Sequence, residues 1–157
     1  MENDVTEKKM KLPPLGQVGV VVKDLDKAVA YYSSNFGMGP WRFIEVDNPE
    51  AQVRNQTCRW KFRIAFTNLG PVEFELIQNL EGRSIHSEFL EKGREGLHHL
   101  GFFCTEEEKD RIIEELDEKE IKVIQDGKIA FHGGSYAYVD SDQIGGVIFE
   151  FIHRSSG

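Results

Sequence analysis

Gly96-Leu97-His98-His99-Leu100-Gly101-Phe102 reads as the start of a strand, and the chain holds a second stretch with the same pattern. Gln17-Val18-Gly19-Val20-Val21-Val22 lies under His99-Leu100-Gly101-Phe102-Phe103-Cys104 without a gap, and each run leads into a charged, amphipathic segment. Further along, Gly70-Pro71-Val72-Glu73-Phe74-Glu75 lies under Gly145-Gly146-Val147-Ile148-Phe149-Glu150. The chain therefore reads as two copies of one unit. Gln17 and His99 share one equivalent place in it, Glu75 and Glu150 another. The offset between copies falls from 82 residues at Gln17/His99 to 75 at Glu75/Glu150, which a longer loop in the first copy accounts for.

Hydrophobic period and punctuation give the elements of each copy. In the first, the strand Gly16 to Val22 is followed by Asp24 as a cap and a helix from Leu25 to Phe36, stopped by Gly37. A strand is expected at Trp41 to Val46 and a loop at Asp47 to Thr57, where Asn-Pro and polar residues cluster. Cys58 to Phe66 alternates cleanly, with Trp60, Phe62, Ile64 and Phe66 on one face and Arg59, Lys61 and Arg63 on the other. Val72 to Gln78 closes a β-α-β-β-β unit. In the second copy a strand from His98 to Cys104 leads into a helix opened by Thr105-Glu106-Glu107-Glu108, whose acids suit the helix dipole. Strands follow at Ile121 to Ile124, Tyr136 to Val139 and Val147 to His153. The expected organisation is one integrated α+β domain. It comprises a flexible arm at residues 1–14, a first module at 15–78, a linker with a short helix near Ile85 to Glu91 at 79–96, and a second module at 97–157. Two such tandem βαβββ modules curling toward each other would enclose one cleft.

Composition narrows the class. Hydrophobic residues make up 39% of the 157, with eleven phenylalanines, which is enough to fill a core. A net charge of −8 argues against a nucleic-acid partner, which needs a basic face. No apolar run approaches a membrane span, and Met1 to Lys11 has no apolar segment of the secretory kind. Cys58 and Cys104 are too few for a disulfide framework and fit a reduced, cytoplasmic setting.

Alternation along the strands places the four matched polar residues together. Glu150 opposes Phe149 and Phe151, Glu75 opposes Phe74 and Leu76, and Gln17 and His99 oppose Val18 and Leu100. Each strand so has one apolar face to pack under a helix and a second face that carries the singled-out group. Two carboxylates, an imidazole and an amide oxygen suit one divalent ion: zinc, cobalt, manganese, nickel or iron(II). The alternative is four unrelated polar residues on half-exposed strands.

These residues carry a family resemblance. Gln17-Val-Gly-Val-Val-Val-Lys-Asp-Leu, Gly96-Leu-His-His-Leu-Gly-Phe, His132-Gly and Gly145-Gly-Val-Ile-Phe-Glu150 resemble the vicinal-oxygen-chelate superfamily, the last three most like methylmalonyl-CoA epimerases. The resemblance implies two tandem βαβββ modules forming a curved mixed sheet around one metal cleft, in a metal-dependent racemase or epimerase, often dimeric, that inverts a stereocentre α to a carbonyl of a small molecule. In it a metal bound by Gln17, Glu75, His99 and Glu150 stabilises an enolate, with Glu150, then Glu75, as the base. Acyl-CoA substrates such as methylmalonyl-CoA, or isoflavonoid-type ketones matched to the aromatic residues, are the candidates. Arg59, Lys61, Arg63, His132 and Tyr136 are expected to contact substrate, although the three cations could instead form an outward row paired with surface acids. The pattern departs from the epimerases at Gln17, where they carry histidine, and near Cys58, where no carboxylate stands in for their glutamate base. A Gln/Glu/His/Glu set resembles glyoxalase I, so a lactoylglutathione lyase is the nearest alternative. A non-catalytic small-molecule-binding or resistance protein is another.

Overall fold

The computed structural model describes residues 10–129 and 133–155. The elements run β1 (Leu15–Val21), α1 (Leu25–Phe36), β2 (Arg42–Val53), β3 (Gln56–Leu69), β4 (Val72–Gly82), α2 (Ile85–Glu91), β5 (Gly96–Phe103), α3 (Glu106–Glu118), β6 (Val123–Ile129), β7 (Gly134–Val139) and β8 (Ile148–His153). The eight strands close into a barrel in the order β1-β4-β3-β2-β6-β7-β8-β5, so the sheet curves until it has no free edge. The sequence-expected arm falls mostly on residues 1–9, and His132 on 130–132; both lie outside the described residues. Among the described residues no helix is long and apolar enough to cross a membrane.

Local chemistry sets the helix ends. The Asp24 carboxylate accepts from the Lys27 amide at 3.0 Å to start α1, and Gly37, with φ of 65°, ends it by returning its N–H to Ser33. Thr105 and Glu108 form a reciprocal capping box on α3, and Ser84 and Ser87 form one on α2.

Alternation along each strand sorts residues between the barrel interior and the helices outside. Val20, Val22, Ala65 and Leu76 pack with Leu25 under α1; Phe102, Val139 and Phe151 pack with Ile112 under α3. Val21, Trp60, Phe62, Ile64, Phe66, Ile77, Tyr136, Tyr138 and Ile148 fill the interior, joined by Ile85 and Phe89 of α2. The segment Asp47 to Thr57 is not the expected loop. It completes a long hairpin, because Arg54 and Asn55 both take positive φ (48° and 63°) and turn the chain in two residues. A register shift between Asn48 and Ala51 absorbs Pro49. Closure is uneven among the described residues: β2 meets β6 through Gln52 opposite Asp126 and Val53 opposite Gln125, with the Arg54 amide donating to the Ile124 carbonyl at 2.8 Å, whereas β1 and β5 pair along their length.

Candidate active site

Four adjacent strands, β4-β1-β5-β8, form the floor of the barrel. Gly19 of β1 sits opposite both Glu75 of β4 and His99 of β5, and Gly101 of β5 sits opposite both Gln17 of β1 and Glu150 of β8. The two glycines make room for the polar groups. A Cβ on Gly19 would lie 2.0 Å from His99 Cε1, and one on Gly101 would lie 2.9 Å from the Gln17 Cβ. Each ring or amide therefore lies flat on the backbone of the neighbouring strand, an approach that only glycine permits.

All four groups are buried and meet at one nitrogen. His99 Nε2 stands 3.0 Å from Glu75 Oε2, 3.4 Å from Glu150 Oε2 and 3.2 Å from Gln17 Oε1. Although Nε2 and Glu75 Oε2 are close, their alignment leaves Oε2 without a hydrogen-bond partner. Three oxygens and a ring nitrogen thus surround a common point. Burial pushes the Glu150 carboxyl up to about 7, the Glu75 charge adding to the rise and His99 opposing it. Burial opposes charge on His99, but the adjacent Glu75 and Glu150 carboxylates prevail and raise it. Two buried acids with one imidazole form an electrostatically unfinished set, and a divalent cation would complete it. An unpartnered carboxylate oxygen, two formal negative charges and borderline nitrogen and oxygen donors all fit such an ion.

Surrounding residues fix these donors. The Gln17 Nε2 amide donates to Glu73 Oε1 at 2.9 Å, which turns its Oε1 toward His99. Glu73 is in turn held by Arg154 at 2.7 Å and Arg42 at 3.2 Å. Burial alone would raise the Glu73 carboxyl, but the bonds from Arg154 and Gln17 hold it below its ordinary value. On the other side, His98 Nδ1 lies 2.9 Å from His99 Nδ1, so one shared proton orients the ring whose Nε2 faces the carboxylates. His98 reaches this position because the β1–β5 register slips between Gly19/His99 and Val20/Leu97, leaving His98 as an extra residue that also faces inward.

The floor opens into a cavity walled by Trp60, Phe62, Ile64, Phe66, Tyr136 and Tyr138, with Lys128 and Arg154 also reaching it. Of the substrate-contact residues expected from the sequence, Tyr136 is here. Arg59, Lys61 and Arg63 do not line it and form the outward row that was the other expectation for them. They occupy the opposite face of β3 and pair with Asp47 (2.7 Å), Glu45 (3.6 Å) and Asp26 (3.1 Å), because the alternation that turns Trp60, Phe62 and Ile64 inward turns them out. Trp41 and Phe43 also lie elsewhere: the Trp41 indole donates to Ser33 Oγ at 2.8 Å beside α1, and Phe43 is half exposed. Among the described residues the only carboxylates lining the cavity are Glu75 and Glu150. Glu73, Arg154 and His86 went unassigned in the sequence. Of these, Glu73 alone left a signal, as the acid two positions before Glu75 on the same face.

His86, His98 and His99 bring ring nitrogens within 4.8 Å of one another. As an alternative ion site this trio is weaker. His98 and His99 already face each other through Nδ1, and three imidazoles supply no negative charge.

The profile of the Glyoxalase/Bleomycin resistance protein/Dioxygenase superfamily matches residues 16–138. Among curated proteins, the chain is 30% identical over 139 residues to the mitochondrial methylmalonyl-CoA epimerase of Bos taurus, covering 87% of this chain and 71% of that one. It is 28% identical to the Homo sapiens counterpart, covering 94% and 78%. Among solved structures, a variant of Streptomyces coelicolor methylmalonyl-CoA epimerase in complex with 2-nitronate-propionyl-CoA superposes with a TM-score of 0.67 at 20% identity, covering 93% of this chain and 97% of that one. The chain belongs to the glyoxalase/bleomycin resistance protein/dioxygenase superfamily, that is, to the vicinal-oxygen-chelate proteins. Its curated relatives named here are epimerases, enzymes of the isomerase class.

Proposed function

We propose that the protein is a racemase or epimerase that moves the proton on a carbon α to a carbonyl. An acyl-CoA thioester such as methylmalonyl-CoA is the first-choice substrate and an isoflavonoid-type ketone the second. The observation that carries this reading is the convergence of Gln17, Glu75 and Glu150 on His99 Nε2 at the floor of an aromatic-walled cavity. The curated epimerase relatives support the thioester. Lys128 and Arg154 at the cavity suit an anionic group on it. The same four residues would hold one divalent ion (zinc, cobalt, manganese or nickel), which when bound would polarise the substrate carbonyl as a Lewis acid.

The chain's own groups would handle the proton. Burial raises the Glu150 carboxyl, to about 7 in the ion-free protein, which makes it the first choice as general base. Glu75 comes from β4 and Glu150 from β8, on either side of the β1–β5 pair. Inversion needs removal from one face of the α-carbon and return to the other, and two carboxylates so disposed supply both. The aromatic walls exclude water that would otherwise compete for the carbanion charge. The pairing of two tandem modules around this cleft, a homodimer and a cytoplasmic setting belong to the same proposal. Two free cysteines support the last.

The test is incubation in deuterium oxide, with zinc, cobalt, manganese or nickel added, of methylmalonyl-CoA and of an isoflavonoid-type ketone. Deuterium entering the α-position with loss of optical activity is expected, and Glu150→Gln should slow it about 100-fold or more. No exchange in any substrate would overturn the reading. A glyoxalase I-type lyase is the second reading, favoured by the amide at Gln17 in the donor set; turnover of the methylglyoxal–glutathione hemithioacetal would identify it. Tight ligand binding with no turnover would identify a binding protein instead.

A further inference from the structure

The two carboxylates of the floor face different partners. In the first half of the chain Phe66 of β3 lies directly opposite Glu75 of β4, and in the second half Tyr138 of β7 lies directly opposite Glu150 of β8. The match continues two positions further on, where Ile64 faces Ile77 and Tyr136 faces Ile152. Side chains so paired share one face of the sheet, with Cβ atoms about 4.5–5.5 Å apart. Both rings and both acids are buried and line the cavity. The repeat thus sets an aromatic ring against each acid, and one phenol hydroxyl separates the two pairs. Phe66 has no polar atom to offer, and Glu75 Oε2 has no hydrogen-bond partner. The Tyr138 ring cannot swing away from Glu150, because His99 stands edge-on at 5.2 Å, His86 at 5.4 Å and Tyr136 at 5.6 Å. Burial, and then the charges of Glu150 and Glu75, push its hydroxyl well above the ordinary value, so it keeps a proton to donate. Burial dominates in raising the Glu150 carboxyl, and hydrogen bonding with Tyr138 is among the influences that pull it back.

We propose that Tyr138 is a positioning residue for Glu150, so that two carboxylates equivalent by repeat are unequal in use: Glu150 is held to one orientation by the phenol, and Glu75 is not. A phenol donating to a carboxylate makes a short, charge-assisted bond, and an acid that spends a lone pair in this way turns less freely. Its remaining lone pairs then point where the surrounding frame sets them, as outer partners do for ion-binding carboxylates in general. Glu75, with a hydrocarbon ring opposite, can turn. The inference rests on the reading of the four-residue floor as an ion and proton-transfer site, and it adds to that reading a reason why Glu150 rather than Glu75 is the oriented base.

The test titrates the whole protein with cobalt(II) against a competing chelating dye and records the visible absorption of the bound ion. Tyr138→Phe should weaken cobalt affinity about 10–100-fold and shift the absorption bands. Tyr136→Phe removes a hydroxyl from the same strand, one whose neighbours are Gln125 and Asn48, and should do neither. Combining Tyr138→Phe with Phe66→Tyr moves the hydroxyl to the other half; affinity should largely recover, with a spectrum unlike that of wild type, because the donor then serves Glu75. Thermal melting of each variant separates a lost bond from a lost fold, and if the exchanged pair does not fold, the comparison of the two Tyr→Phe variants decides. Unchanged affinity and spectrum in Tyr138→Phe, an equal effect from Tyr136→Phe, or a folded exchange variant without recovery would overturn the proposal. A wild-type protein that takes up no cobalt would overturn it together with the ion site. None of these readings involves turnover. A protein that meets them yet exchanges no α-proton would refute the epimerase reading and leave the placing of Glu150 standing.

Discussion

Replacing Gly19 by alanine isolates the packing of His99 on the strand beneath it. At an unobstructed strand position, Gly→Ala stabilises by about 0.4–1 kcal/mol, since the unfolded chain loses freedom. Gly19 has no positive φ to forbid the change, but its new methyl would lie 2.0 Å from Cε1 and 2.1 Å from Nε2 of His99. Those atoms cannot retreat sideways, because Tyr138 stands edge-on at 5.2 Å and His98 at 5.2 Å. The ring must rise into the cavity, away from Glu75 and Glu150, and overpacking of this kind costs about 1–3 kcal/mol. For a chain of this length that lowers Tm by roughly 2–12 °C. In a His99→Ala background the same methyl meets empty space and should stabilise, so the double-mutant cycle should show a coupling of about 2–3 kcal/mol. Calorimetry of the four proteins reads the cycle, and elemental analysis reads metal content. An alanine variant as stable as wild type with unchanged metal content would refute the close-packed floor, as would a coupling near zero.

Glu73→Gln removes the charge that orients the Gln17 amide and should weaken metal affinity about 10–100-fold with little change in fold, measured by competition with a chelating dye. Metal affinity should fall as pH drops through about 7. In the metal-free protein, Glu150 holds its proton up to about 7 and the raised His99 holds its own, and both must leave before these atoms can ligate. Titration calorimetry in buffers of different ionisation enthalpy should record proton release that diminishes as pH rises. Burial pushes the Cys104 thiol up to about 11, so about one molecule in a thousand is thiolate at pH 8 and iodoacetamide should modify it slowly; rapid labelling of Cys104 would contradict its packing against α3.

What could be read in advance depended on whether the signal was repeated. Gln17, Glu75, His99 and Glu150 stood out because each recurs at an equivalent place in two copies, and in the structure they lie around one ring nitrogen. The two longer helices were legible from their caps, Asp24 and Thr105. The hairpin through Asp47–Thr57 was not: its turn uses Arg54 and Asn55 rather than glycine, and Pro49 sits at a register shift. Arg59, Lys61 and Arg63 show the limit of alternation, which separates two faces without saying which is inside. His98 breaks alternation through a one-residue slip, and His86 stands alone on a short helix. Such features depend on pairing between distant strands, and a local pattern does not record them.

The uneven closure of the barrel gives it the mechanics of a clasp. The full-length pairing of β1 with β5 is the firm side, and the short seam between β2 and β6 is the fastening. Breathing motions begin where the fewest ladder bonds must break. The amides of Gln52–Arg54 and Ile124–Asp126 should therefore exchange with solvent faster than those of the β1–β5 ladder that carries Gln17 and His99.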